Sequence, residues 1–177
     1  LCDQWDLLLI VDETMTGMGR TGKFLAIEHW DVEPDIIIMG KALGAYCPLA
    51  ATILSEKVSK SFDHHLFGHG QSYSGHALGC AAALASLEVL HEDGLITQSA
   101  SLGAQLGEQL RTLGQKHPCV GNVRGMGLFW TMELVANPST KEPLRKATEK
   151  YEETIVKQVS DFLFRERQVY VPSDKFG

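Results

Sequence analysis

The sequence has no apolar run near the roughly 20 residues that cross a bilayer, so it predicts no membrane-spanning segment. It also lacks an excess of positive charge: Lys and Arg number 16 against 22 Asp and Glu, a formal net charge of −6 over 177 residues. A chain without a basic stripe is a poor match for the nucleic-acid backbone. Membranes and nucleic acids are therefore not expected partners.

Cysteine is scarce, and its spacing excludes two further classes of site. No C-x-x-C pair is present among the four cysteines, which argues against a zinc knuckle or a dithiol redox motif. The cysteines are Cys2, Cys47, Cys80 and Cys119. Scattered thiols in a chain of ordinary composition favour the reduced state, and they predict a cytoplasmic protein. Four histidines crowd residues 64–76, but no pattern of acidic ligands is interleaved with them, so no metal site is predicted.

The ends of the chain lack the usual marks of a complete protein. The first residue is Leu1 and not Met, and strand-like residues begin almost at once. The last residues have the pattern of a strand followed by a turn, after which the given sequence ends. We expect a fragment of a longer chain that is inactive by itself and exposes apolar sheet surface.

The pattern of apolar residues predicts an α/β fold. Apolar runs at residues 7–11, 36–39 and 49–54 are the length of strands, and the first two have the continuous pattern of strands buried on both faces. Helical spacing follows at residues 80–90, 95–113 and 151–165, and residues 121–135 contain two further strand-like pieces. A break at Asp93-Gly94 divides the chain into predicted domains 1–93 and 94–177.

The chemistry-bearing residues follow the first two strands. Asp12 directly ends one strand and Lys41 lies just beyond the other, which is the edge where open α/β sheets bind ligands. Three interpretations compete. Asp12-Glu13 suits the magnesium-binding strand end of an ATPase, although the Gly-Lys-Ser/Thr loop is absent from these residues. Residues 17–22 spell G-x-G-x-x-G but begin too far from the strand for a dinucleotide turn.

The third interpretation pairs Asp12 with Lys41 at a pyridoxal phosphate site. The amine forms a Schiff base with the cofactor aldehyde, and the carboxylate keeps the pyridine nitrogen protonated, so that the ring accepts electrons. Taken on these residues alone, a structural Asp and a surface Lys are the simpler explanation.

Four ordered motifs add a family resemblance. They are DETMTGMGRTG at residues 12–22, PDIIIMGKALG at 34–44, GQSYSGH at 70–76 and VRGMGL at 123–128. Together they closely resemble the class III pyridoxal-phosphate-dependent aminotransferases, over nearly the whole chain but weakly over residues 136–165. The resemblance implies the α/β fold type I, with part of the mostly parallel sheet of the large domain and part of an α+β small domain.

The resemblance also implies residue roles. Lys41 would carry pyridoxal 5'-phosphate and later move a proton, and Asp12 would pair with the pyridinium. Thr14 occupies the position of a Val or Ile that packs on the ring face. Ser72 occupies the position of a Thr whose hydroxyl binds the cofactor phosphate across a dimer interface. The resemblance therefore implies a homodimer or higher homo-oligomer.

One departure from the family pattern bears on the substrate. Met15 replaces the Gln of ornithine-type members, and a thioether does not donate a hydrogen bond to the cofactor's phenolic oxygen. This favours transfer from an ω-amino acid or amine to a keto acid such as pyruvate. The alternatives are another reaction of the same cofactor (racemase, decarboxylase or lyase) and, in a different class, a nucleotide-dependent ATPase or binding module.

Overall fold

The computed structural model describes residues 1–144 and 154–172, and these form two compact units. The first comprises residues 1–106 with 125–129, and the second comprises the described parts of 107–124 and 130–177. The division into domains 1–93 and 94–177 stays a prediction. Within the described residues, no helix is both long and apolar enough to span a membrane.

A three-stranded mixed sheet organises the first unit. Its strands are β1 (Ile10–Asp12), β2 (Ile36–Met39) and β3 (Ala51–Leu54), in that order. β1 runs parallel to β2, with Asp12 opposite Ile38, and β3 is antiparallel to β2. The β-branched run of β2 confirms the strand predicted at residues 36–39, whereas the other two strands are shorter than predicted.

The expectation that residues 7–11 form a strand buried on both faces was wrong for this chain. Leu7, Leu8 and Ile10 are 56%, 50% and 55% exposed. Among the described residues, β1 is an edge strand of the sheet with β2 as its one neighbour. We expect the isolated 177-residue chain to self-associate through this edge, as measured by light scattering after size exclusion. A monodisperse monomer would contradict this expectation.

Helices of the first unit complete a small core. The first unit holds α1 (Glu56–Ser59), α2 (Ala77–Glu92) and the start of α3 (Leu95–Lys116). Short 3₁₀ helices occupy Asp3–Trp5, Ala26–Trp30, Lys41–Gly44 and Lys60–Phe62. Met39 of β2, Leu43 and Ala83 of α2 form the buried cluster. The small residues of α2 let its backbone approach the segment that follows β2.

A second sheet belongs mainly to the second unit, with strand order β4 (Val120–Met126), β5 (Phe129–Asn137) and β6 (Glu142–Pro143). Val135 is 1% exposed and lies so close to Gly121 that a Cβ there would clash with it. The guanidinium of Arg111 lies 4.9 Å from the centroid of the Trp130 ring. The strands predicted within residues 121–135 are confirmed.

The last described helix is α4 (Ile155–Arg167), which begins at Thr154, whose hydroxyl accepts from Lys157 N–H at 3.1 Å. The helix was predicted over residues 151–165. Its first predicted residues, 151–153, lie outside the described residues.

The glycine-rich segment at residues 17–22 serves close packing. Gly22 has φ +88°, and a Cβ added there would lie 3.0 Å from the Cα of Ala100 in α3. Gly22→Ala in the full-length gene product is therefore expected to lower the free energy of unfolding by about 1–3 kcal/mol, measured by denaturant titration. Gly68→Ala is the control, because a Cβ at Gly68 meets nothing within 4 Å. Equal stability of the two variants would contradict this packing role.

Candidate active site at the ends of two parallel strands

The parallel pairing of β1 with β2 brings the two predicted site segments to one edge. Asp12 is the last residue of β1, and Lys41 follows β2 by two residues. The pairing continues past Asp12, because Glu13 N–H donates to Ile38 C=O at 2.8 Å. Both Asp12 and Lys41 are exposed. The predicted pair is thus placed at the carboxyl ends of neighbouring strands.

Local hydrogen bonds keep Asp12 ionised. Thr14 N–H donates to Asp12 Oδ1 at 2.9 Å. This bond, together with the Thr14 hydroxyl, holds the pKa of Asp12 below its usual value, and the nearby Lys41 ammonium acts in the same direction. Partial loss of hydration opposes them without reversing the shift. Asp12 therefore presents a stable negative charge close to the Lys41 amine.

Lys41 has an unusual backbone conformation. It opens the 3₁₀ helix Lys41–Gly44 with φ +46°, in the left-handed region that costs energy for a residue with a Cβ. The buried Leu43 anchors this helix in the core, and a Cβ on Gly44 would clash with Leu49. Residues in such conformations cluster at functional sites, where the surrounding packing imposes them.

This strain has a measurable consequence. We expect the cofactor-free Lys41→Gly variant to be more stable than Lys41→Ala by about 1 kcal/mol, because glycine adopts a positive φ without a Cβ clash. Ala42→Gly in the same 3₁₀ helix should have the opposite sign and lose about 0.5–1 kcal/mol. Thermal unfolding of the full-length gene product measures all three variants. A Lys41→Gly variant less stable than Lys41→Ala would show that Lys41 carries no strain.

The other two predicted residues differ in their surroundings. Thr14 is half-buried beside the Lys41 segment, since a Cβ on Gly40 would lie 3.5 Å from Thr14 Cγ2. Ser72 lies in an exposed turn at residues 72–75, and no described hydrogen bond or ion pair joins it to Asp12 or Lys41. The cofactor roles of all four residues stay predictions.

Glu13, the residue after Asp12, is buried. Its side chain is 2% exposed, and the described residues give it hydrogen bonds and no ion pair. Oε1 accepts from Ile27 N–H at 2.8 Å, and Oε2 accepts from the Thr16 hydroxyl. Sequence alone offered one signal, a second carboxylate beside Asp12 with a Thr three residues later.

Comparison with known proteins identifies the family. The solved structures on which this chain superposes are pyridoxal-phosphate-dependent transaminases of fold type I, and the chain has that fold. Within that class, residues 1–162 match the family "Aminotransferase class-III", and the chain belongs to it. Class III aminotransferases use pyridoxal phosphate. Asp12-Glu13 is therefore not the strand end of a P-loop ATPase.

Two curated relatives are similar over most of the chain. The taurine–pyruvate aminotransferase of Bilophila wadsworthia is 39% identical over 154 residues, which are 83% of this chain and 34% of the relative. The adenosylmethionine-8-amino-7-oxononanoate aminotransferase of Anoxybacillus flavithermus is 44% identical over 149 residues, 81% of this chain and 33% of the relative. The chain spans about a third of the length of these relatives.

Solved structures agree with the fold. The taurine:2-oxoglutarate aminotransferase of Bifidobacterium kashiwanohense, in complex with PLP and glutamate, superposes with a TM-score of 0.89 at 31% identity. The match covers 98% of this chain and 38% of that one. An (S)-enantioselective omega-transaminase of Thermomicrobium roseum gives a TM-score of 0.85 at 32% identity, with the same coverage. The predicted family and fold type are confirmed.

Proposed function

We propose that the protein containing this chain transfers an amino group from an ω-amino acid or amine to a keto acid such as pyruvate, with pyridoxal 5'-phosphate as cofactor. The observation that carries the proposal is the placement of Asp12 and Lys41 at the carboxyl ends of adjacent parallel strands. Family membership supports the reaction type, because the similar proteins are named as aminotransferases.

The two side chains fit the chemistry of this cofactor. Asp12 offers a carboxylate with a lowered pKa to a protonated pyridine nitrogen, and Lys41 offers a primary amine to an aldehyde. When bound, pyridoxal phosphate withdraws electrons from the substrate carbon that bears the amino group. A carboxylate beside the ring nitrogen favours this withdrawal because it stabilises the positive charge there.

Lys41 has two tasks in the proposed reaction. Its Nζ would hold the cofactor through the aldehyde, and the same amine, when it is free, would take up and return a proton at that atom. Proton transfer by a positioned side chain contributes about 10²–10⁴-fold to a rate. Thr14, beside Gly40 and hydrogen-bonded to Asp12, limits how the carboxylate rotates.

The proposed substrates rest on Met15 and on the similar proteins. Met15 is 57% exposed and has no hydrogen-bond donor, unlike the Gln of ornithine-type members. Two similar proteins are named for taurine, one with pyruvate and one with 2-oxoglutarate. The proposal includes a homodimer or higher homo-oligomer, in which Ser72, on its exposed turn, contacts the cofactor phosphate of a second copy.

A donor–acceptor matrix tests the proposal. The full-length gene product, loaded with pyridoxal phosphate, is assayed with taurine, a primary amine or ornithine as donor and pyruvate or 2-oxoglutarate as acceptor. The expected result is alanine formed from pyruvate with taurine or the amine, and slower turnover with ornithine. Carbon dioxide release or racemisation without a keto acid would instead assign another reaction of the same cofactor. Borohydride reduction followed by peptide mapping should place the cofactor on Lys41.

A further inference from the structure

Glu13 is a buried carboxyl group that the proposed reaction does not use. It is 2% exposed, and it directly follows Asp12 at the end of β1. Burying a carboxyl group without hydrogen-bond partners costs free energy, so a buried Glu13 is expected to have such partners. Those contacts reach three separate parts of the first unit.

The side chain and backbone of Glu13 together tie the loop after β1 to its surroundings. Oε1 accepts from Ile27 N–H at 2.8 Å, in the 3₁₀ helix Ala26–Trp30, and Oε2 accepts from the Thr16 hydroxyl. Its backbone N–H donates to Ile38 C=O of β2 at 2.8 Å, and its C=O accepts from Gly17 N–H at 3.0 Å. Hydrogen bonds of both the backbone and the side chain of Glu13 thus close the turn at residues 13–17.

This turn carries the group that orients Asp12. Thr14 lies between Glu13 and Thr16, and its N–H is the donor to Asp12 Oδ1 at 2.9 Å. The direction of that N–H depends on the backbone of the turn, which Glu13 holds through Thr16 and Gly17. We propose that Glu13 is a positioning residue that orients the Asp12 carboxylate toward the cofactor ring; this inference rests on the proposed function.

A double-mutant cycle separates positioning from general structural support. In the cofactor-free full-length gene product, Glu13→Ala is expected to weaken pyridoxal phosphate binding by about tenfold or more, as removal of a supporting partner commonly does. In an Asp12→Asn background the same change should weaken binding by no more than about twofold, because the charge it orients is gone. Dissociation constants come from titration of cofactor absorbance, corrected for the folded fraction.

Three further variants sharpen the comparison. Glu13→Gln should bind the cofactor as the wild type does, since its amide keeps an acceptor for Ile27 N–H and a polar partner for Thr16. Thr16→Val removes one of the two side-chain contacts at nearly constant volume, and it serves if Glu13→Ala does not fold. Asp35→Ala is the matched control, because Asp35 Oδ2 accepts from Leu9 N–H at 2.8 Å at the opposite ends of β1 and β2 from the turn at residues 13–17. It should bind within about twofold of the wild type.

The outcomes are distinct. Equal weakening by Glu13→Ala in both backgrounds would mean that Glu13 supports the fold alone, and it would overturn the inference while leaving the proposed function intact. A wild-type protein that binds no pyridoxal phosphate would overturn both. Loss of binding in Asp35→Ala as large as in Glu13→Ala would also overturn the inference, because the effect would not then depend on contact with the turn.

Discussion

Lys41→Ala in the full-length gene product is expected to lower turnover by at least about 10³-fold, since the residue supplies both cofactor attachment and a proton transfer worth about 10²–10⁴-fold. The visible absorbance of the bound cofactor should shift to that of the free aldehyde. Initial rates of keto-acid amination and absorbance spectra of the purified protein measure both effects.

Lys60→Ala is the control for this change. Lys60 is an exposed lysine that pairs with Glu56 at 2.7 Å, and such surface pairs contribute about 0–1 kcal/mol. Turnover and spectrum should match those of the wild type. Normal turnover in Lys41→Ala, with the bound-cofactor spectrum retained, would remove Lys41 from the reaction and with it the proposed function.

Asp12→Asn is expected to lower kcat by about 10²–10³-fold, the range that loss of one preorganised electrostatic partner commonly costs. The asparagine oxygen still accepts from Thr14 N–H, so the turn keeps its shape while the charge is lost. Steady-state kinetics with saturating cofactor separates this loss from weaker cofactor binding. A kcat within a few-fold of the wild type would contradict the pairing of Asp12 with the ring nitrogen.

The pH dependence of the wild type provides a second measurement on Asp12. Thr14 and Lys41 hold its pKa below the usual value, so the folded protein keeps this charge to a lower pH than an ordinary aspartate does. The stability it contributes is present above the unfolded-state pKa and is lost as the pH falls through the lowered folded value. An acid limb of activity at or above the usual pKa of an aspartate is therefore expected to arise from another group, and a pH–rate profile measures it.

Asp31→Asn is the matched control for Asp12→Asn. Asp31 is exposed and has φ +53°, a conformation that asparagine tolerates well. Removal of its charge should leave kcat unchanged. An effect of Asp31→Asn comparable to that of Asp12→Asn would mean that net charge, and not the position of the carboxylate, governs the rate.

Local patterns predicted much of the fold because they depend on few neighbours. The run Ile36–Met39 forms the predicted strand, and the spacing of apolar residues located α2 and α3. Burial was harder to predict. The same apolar pattern that suggested a buried strand at residues 7–11 lies on an exposed sheet edge, because burial depends on which strands are adjacent.

The candidate site, like the fold, could be predicted only in part from the sequence. Asp12 and Lys41 are predicted by sequence because each follows a recognisable strand within an ordered family motif. The partners of Glu13 do not follow from the sequence, since a buried carboxyl group binds whatever donors the tertiary structure brings to it. Here those donors include the backbone of Ile27, fourteen residues away along the chain.

By itself, the sequence determined the family and the fold type and predicted the Asp12–Lys41 pair, because these follow from motifs and from residue chemistry. Only the tertiary structure decided the parallel register that brings the pair together, the positive φ of Lys41 and the contacts of Glu13. The reason is physical. Register, backbone strain and burial arise from contacts between segments distant in the chain, whereas strand runs and motif residues are set by their immediate neighbours.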